Sequence, residues 1–146
     1  MLTVKILVAD DENPIRELYS SFLREVTPDV ELILCKDGNE LYRAAISHYT
    51  TIDGIITDWN MPGMNGLDAS VNIRQYETGA NLGGPQIPIV MLSGSAPRDI
   101  REAALRAGVT FLEKSGDYVQ DLERAIAAIR IHKPATGVAN RLGSYL

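Results

Sequence analysis

The sequence has one cysteine, no long apolar run and no concentration of basic residues. Cys35 is the single cysteine among 146 residues, so an internal disulfide is excluded and a reducing compartment fits. No apolar run approaches the roughly 20 residues that span a bilayer, and the first five residues lack the layout of a secretion signal. We therefore expect a cytoplasmic protein with no membrane partner.

The balance of charge argues against direct binding of nucleic acid. Lys and Arg number 14 against 19 Asp and Glu, which gives a net charge of −5. The basic residues are scattered, whereas a protein that binds a phosphate backbone usually shows a concentrated basic face. The glycine-rich motifs Gly-x-Gly-x-x-Gly and Gly-x-x-x-x-Gly-Lys are also absent, which argues against a nucleotide-binding domain.

Five short apolar runs, rich in valine and isoleucine, alternate with helical patterns. Continuous runs of this length suit strands that are buried on both faces of a parallel sheet. The runs are 4–9, 30–35, 54–57, 87–92 and 109–112. Apolar residues at three- and four-residue spacing follow each run and predict five helices.

Local signals mark several boundaries between these elements. Asn13 and Pro14 predict the cap and the first residue of the first helix, and Gly108 predicts the end of the fourth. The glycine-rich stretch 77–86 predicts a long loop before the fourth strand. The order of five βα units predicts an α/β fold, with an open, doubly wound parallel sheet and helices on both faces.

Polar residues follow four of the predicted strands. Asp10 and Asp11 come after the first, Asp58 after the third, Ser93 after the fourth and Lys114 after the fifth. The carboxyl ends of the strands form the binding edge of such a sheet, so these side chains should meet there. Three close carboxylates repel one another, and an oxygen-only ligand set favours Mg²⁺ as the ion that removes this cost.

With a metal bound, one carboxylate at this edge can attack phosphorus. Formation of an aspartyl phosphate is an established form of nucleophilic catalysis. Lys114 and Ser93 would stabilise charge on the transferring phosphoryl oxygens.

These residues and the run DWNMPGMNG at 58–66 resemble the receiver domain of two-component response regulators. The run is similar to that of chemotaxis-type single-domain regulators, and the resemblance covers about residues 3–131. It implies a flavodoxin-like (βα)5 fold with strand order 2-1-3-4-5. We therefore expect a receiver domain over residues 1–132 and a C-terminal tail or linker over 133–146.

The resemblance also implies a phosphorylation-dependent switch in a two-component phosphorelay. Asp58 would accept a phosphoryl group from the phosphohistidine of a histidine kinase or a histidine phosphotransfer protein. Asp11 and Asp58 would bind Mg²⁺ directly, Asp10 largely through water, and Asn60 through its backbone carbonyl. By this resemblance the chain would not be an enzyme, except that it would catalyse its own aspartyl phosphorylation and dephosphorylation.

Phosphorylation would be transmitted through three residues. The resemblance implies that Lys114 pairs with the phosphoryl oxygens, that Ser93 moves toward them and that Phe111 rotates inward. The surface of helix four, strand five and helix five would then change its preference for a downstream protein target. A homodimer through helices four and five is a hypothesis on the same ground.

One position departs from the family pattern. The family usually has proline after the lysine, often following a cis bond, whereas Ser115 follows Lys114 here. Because a non-proline cis bond costs about 2.5–4 kcal/mol, we expect a trans bond, or a cis bond that local contacts hold.

Two alternatives remain open at this point. The first is a Mg-dependent aspartyl-phosphate phosphatase or phosphotransferase of the haloacid-dehalogenase type, which also uses an aspartyl nucleophile and Mg²⁺ on a parallel sheet. Such enzymes have Asp-x-Asp after the first strand and usually a cap domain, whereas this chain has adjacent Asp10 and Asp11. Both a free-standing regulator and a receiver cut from a hybrid kinase or a multidomain regulator fit this sequence.

Overall fold

Five strands alternate with five helices along the chain, in a computed structural model that describes residues 3–26, 28–80 and 84–132. The strands are β1 (Val4–Ala9), β2 (Val30–Cys35), β3 (Gly54–Asp58), β4 (Ile89–Ser93) and β5 (Thr110–Glu113). The helices are α1 (Asn13–Val26), α2 (Gly38–Ser47), α3 (Gly66–Gly79), α4 (Arg98–Arg106) and α5 (Tyr118–His132). The expected tail, 133–146, lies outside the described residues.

The sheet is parallel throughout, with strand order β2-β1-β3-β4-β5. This confirms the expected doubly wound architecture and its strand order. The predicted bounds of β1 and β2 are correct, whereas β4 and β5 begin later than predicted. The reason is that the Ile87 N–H bonds to the Glu77 carboxylate and the Val109 N–H bonds to Ala104 at the end of α4, so neither residue opens its strand.

Alternate strand residues supply two separate cores, one on each face of the sheet. Leu7 and Ile55 belong to the core that packs against α2, α3 and α4. Ile6 and Ile56 belong to the core that packs against α1 and α5. Strands that are covered on both faces need continuous apolar runs, which explains the pattern in the sequence. No described helix is long and apolar enough to cross a membrane.

A buried ion pair extends α3 into the stretch predicted as a loop. The prediction of a loop from residue 77 is wrong for its first three residues, because α3 continues to Gly79. Glu77 is 9% exposed, accepts a hydrogen bond from the Tyr49 hydroxyl, and pairs with Arg74 at 2.9 Å. Buried carboxylates persist where they are paired and hydrogen-bonded, so these contacts hold the last turn of the helix in place.

Arg74 also ties α3 to the amino ends of β4 and β5. Its guanidinium donates to the backbone carbonyls of Ala107 at 2.8 Å, Ile87 at 2.9 Å and Gly108 at 3.1 Å. Gly108 has φ +70, and it turns the chain from α4 into β5. We call Arg74, Glu77 and these carbonyls the Arg74 clamp.

Loss of the Arg74 side chain should strongly destabilise the fold. Arg74→Ala leaves the Glu77 carboxylate buried without its cation, and we expect the free energy of unfolding to fall by about 3–5 kcal/mol. Arg98→Ala is the matched control, because the Arg98–Glu102 pair is exposed and should contribute only about 0.3–0.5 kcal/mol. Urea unfolding of both variants measures the difference, and equal losses would contradict the assignment.

Candidate functional site

Three carboxylates meet where β1 and β3 end. Asp10 follows β1 and Asp58 ends β3, and the two strands run side by side with Ala9 opposite Thr57. One carboxylate oxygen from each of Asp10, Asp11 and Asp58 lies within 4.8 Å of the others. Asp10 is buried, Asp58 is half-buried and Asp11 is exposed, so this acidic cluster opens to solvent on one side.

Local hydrogen bonds fix the buried member of the acidic cluster. The Asp10 N–H donates to the Cys35 carbonyl at 3.1 Å, and the Asp10 carboxylate accepts from the Glu12 N–H at 2.9 Å. The Arg16 guanidinium donates to the Asp10 carbonyl at 2.6 Å. Arg16 was not among the predicted site residues, because its i+6 spacing from Asp10 forms no recognisable motif.

Burial and repulsion make ionisation of Asp10 unfavourable. Burial raises the pKa of Asp10 from 3.8 to about 6; the Glu12 N–H and Lys114 oppose this rise, while the charges of Asp58 and Asp11 add to it. A nearby cation would reverse these unfavourable contributions, since it stabilises each carboxylate in its charged form.

Lys114 reaches the acidic cluster from the end of β5. Its ammonium Nζ lies 3.1 Å from Oδ2 of Asp58, and its backbone N–H donates to the Ser93 carbonyl at 3.0 Å. Burial lowers the pKa of Lys114, but the charge and hydrogen bond of Asp58, together with the charges of Asp10 and Tyr118, leave this pKa raised. The bond between Lys114 and Ser115 is trans, like every other described peptide bond, which is the first of the two outcomes expected from the sequence.

The remaining predicted residues lie around this centre. Ser93 ends β4, is buried, and accepts a 3.4 Å hydrogen bond from the Ser95 N–H. Phe111 is half-buried in β5 and packs against the core on the α2–α4 side. Asn60 is exposed in the loop after β3, and its role as a carbonyl ligand stays a prediction.

A glycine shapes the loop that follows Asp58. The Gly66 N–H donates to the Trp59 carbonyl at 2.9 Å, which closes the loop on itself. A Cβ at Gly66 would lie 2.0 Å from the Asp58 carbonyl oxygen, so no larger residue fits there. The side chain of Asn65 accepts from the Asp68 N–H at 2.8 Å and caps α3.

The donor set of the acidic cluster fits a hard divalent cation. Its three carboxylates supply oxygen ligands alone, and the ion pair with Lys114 offsets a single negative charge. Mg²⁺ is typically bound through one or two carboxylates and keeps several waters, for which the exposed side of the acidic cluster leaves room.

In metal-free protein, the charge on Asp10 should reduce stability as pH rises. Because its folded-state pKa of about 6 exceeds the ordinary value of 3.8, the contribution of Asp10 to stability is complete below about pH 4 and is lost as pH rises through 6. We expect Asp10→Asn to raise Tm in EDTA at about pH 8 and to have little effect at about pH 4. Thermal unfolding at several pH values checks this, and a gain independent of pH would contradict it.

Comparison with known proteins agrees with this geometry. The family described as "Response regulator receiver domain" matches residues 6–127. Chemotaxis protein CheY of Pseudomonas aeruginosa is 33% identical over 108 residues, which cover 73% of this chain and 79% of that protein. Chemotaxis protein CheY-3 of Vibrio cholerae is 33% identical over 110 residues, which cover 73% of this chain and 75% of that protein.

A solved structure agrees in fold as well. The receiver domain of the Arabidopsis thaliana histidine kinase CKI1, complexed with Mg²⁺ and BeF3⁻, superposes with a TM-score of 0.70 at 26% identity. The match covers 88% of this chain and 90% of that one. The chain belongs to the response regulator receiver domain family.

Proposed function

We propose that this receiver domain is a phosphorylation-dependent switch in a two-component phosphorelay. Asp58 accepts the phosphoryl group from a phosphohistidine of a histidine kinase or a histidine phosphotransfer protein. The observation that carries the proposal is the meeting of Asp10, Asp11, Asp58 and Lys114 at the carboxyl edge of the sheet. The CKI1 receiver domain, which was solved with Mg²⁺ and BeF3⁻, supports it by similarity.

The transfer needs a nucleophile, charge neutralisation and a hydrogen-bond donor. A carboxylate oxygen of Asp58 forms a bond to phosphorus while the phosphorus–nitrogen bond to the donor imidazole breaks, and the imidazole leaves with the electron pair and takes a proton. Magnesium, held by Asp11 and Asp58 directly, by Asp10 largely through water and by the carbonyl of Asn60, would neutralise the phosphoryl oxygens.

Lys114 and Ser93 supply the chain's own stabilisation of the phosphoryl group. Lys114 already faces Asp58 at 3.1 Å and has only to shift its ammonium toward a phosphoryl oxygen. Ser93 stands at the end of the neighbouring strand and donates its hydroxyl proton. Proton donation and charge pairing at fixed positions are what phosphoryl transfer requires of the protein.

The output surface consists of α4, β5 and α5. Phosphorylation adds charge and acceptor oxygens beside Ser93, and Phe111 then repacks inward, which biases this surface toward a downstream protein target. Exposed apolar side chains support the proposal: Leu105 of α4 is 65% exposed and Tyr118 of α5 is 37% exposed. A homodimer through α4 and α5 belongs to the same proposal.

The cellular setting is also proposed. We place the domain in the cytoplasm, where it receives phosphoryl groups without direct contact with nucleic acid or membrane. It acts either as a free-standing regulator or as the receiver of a hybrid kinase or multidomain protein, and the length of the full gene decides between these.

Labelling with a small phosphodonor tests the proposal and separates it from a phosphatase. With Mg²⁺ and acetyl phosphate, we expect the intact mass to increase by one phosphoryl group, and Asp58→Asn to abolish this labelling without loss of the fold. EDTA should abolish it too. A phosphatase of the haloacid-dehalogenase type would instead release many equivalents of phosphate per protein. That outcome would overturn the proposal that the domain is a switch.

Removal of a direct ligand should weaken binding of magnesium. We expect Asp11→Ala to raise the Kd for Mg²⁺ at least about tenfold, since the removal of one charged ligand costs over 1.4 kcal/mol. The fluorescence of Trp59, which follows Asp58 in the chain, reports the titration. Asp68→Ala, an acidic residue at the start of α3, is the control and should titrate like wild type; equal affinity of all three proteins would refute the ligand assignment.

A further inference from the structure

A buried carboxylate lies at the start of α5, outside the acidic cluster. Asp121 is 2% exposed although it is charged. Its Oδ1 and Oδ2 accept the Ser115 N–H at 3.2 and 3.1 Å, and Oδ1 accepts the Ser115 hydroxyl at 2.8 Å. The Arg124 guanidinium donates to the same oxygen at 2.8 Å. A carboxylate with so many donors is held in a single orientation.

These contacts hold the backbone on both sides of Lys114. Ser115 follows the lysine and is fixed by Asp121 through both of its donors. Arg124 also donates to the carbonyl of Glu113, the residue before the lysine, at 3.1 Å. Both neighbours of Lys114 are therefore tied to the first turns of α5.

The contacts with Asp121 depend on serine at position 115, which supplies both a backbone N–H and a hydroxyl. A proline at this position would offer neither a backbone N–H nor a hydroxyl to Asp121. Asp121 and Ser115 thus depend on each other: without Asp121, the serine would lose its main acceptor, and without the serine, a buried carboxylate would keep Arg124 alone.

The direction of the Lys114 side chain depends on this backbone. Its ammonium reaches Asp58 across 56 residues of sequence, and a flexible four-carbon stem does not by itself fix that contact. The backbone N–H of Lys114 is held by the Ser93 carbonyl, and the next peptide N–H is held by Asp121. Both peptide planes beside the Lys114 Cα are therefore set.

We propose that Asp121 is a positioning residue that, through Ser115 and Arg124, aims the Lys114 ammonium at Asp58. The inference rests on the proposed phosphoryl transfer to Asp58 and adds to it a residue that touches neither metal nor phosphoryl group. It predicts that loss of Asp121 slows phosphoryl transfer only through its effect on Lys114.

Rates of labelling in single and double variants test whether Asp121 acts through Lys114. We expect Asp121→Asn to slow labelling of Asp58 by acetyl phosphate about tenfold or more, because a misplaced charge loses much of its effect. In a Lys114→Ala background, the same substitution should change the rate less than about twofold. Asp29→Asn is the matched control, since it breaks an Asp–Arg pair at the other end of α5 and should leave the rate unchanged.

Two further measurements exclude a general loss of structure. The Kd for Mg²⁺, followed by Trp59 fluorescence, should not rise in Asp121→Asn, because the acidic cluster keeps its ligands and loses only the competing charge of Lys114. Ser115→Ala, which removes only the hydroxyl contact, should slow labelling less than Asp121→Asn does, and it serves as the test variant if Asp121→Asn does not fold. An equal loss in the Lys114→Ala background, or an unchanged rate, would overturn the proposal.

A crystal structure of Asp121→Asn distinguishes failure of this inference from failure of the proposed function. If wild-type protein takes no label, the phosphorelay proposal fails. The positioning role of Asp121 is then tested by the contact between Lys114 Nζ and Asp58 alone. Loss of that contact in the variant supports the role of Asp121. A contact kept within hydrogen-bond distance rejects it.

Discussion

The balance of charge at the carboxyl edge of the sheet governs this molecule. Parallel pairing of β1 with β3 forces Asp10 and Asp58 together, and the fold sets Lys114 against them as the paired cation. The acidic cluster lacks full compensation, and burial, together with the charges of Asp58 and Asp11, raises the pKa of Asp10. A site with this imbalance favours the binding of a cation, which would stabilise each carboxylate in its charged form.

Much of the fold is encoded locally and was predictable. Apolar runs mark strands that are covered on both faces, and β1 and β2 begin and end where the runs do. The meeting of Asp10, Asp58 and Lys114 was predictable because each lies at, or directly after, the carboxyl end of a strand. Glu77 was not, since its burial depends on Tyr49 and on Ile87, which no local pattern connects to it. Asp121 left a signal that was overlooked: it falls four residues before Ala125 on the apolar face of α5.

Two groups of contacts hold β5, one at each end. The Arg74 clamp binds the turn that leads into the strand, and Asp121 with Arg124 binds the residues that leave it. These contacts restrain the strand from sliding along its neighbour. In the proposed switch, a change at the acidic cluster would therefore act through side chains such as Phe111, and stability and signal transmission would depend on different atoms of one strand.

The hydrogen bond between Glu77 and the Ile87 N–H has a consequence for protein engineering. It joins the two ends of the connection between α3 and β4 at 2.8 Å, while the pairing of β4 with β3 from Ile89 onward sets the register of the strand. The entropic cost of a longer closed loop grows only with the logarithm of its length. An epitope or a fluorophore could therefore be inserted there while the opposite edge of the sheet keeps its geometry.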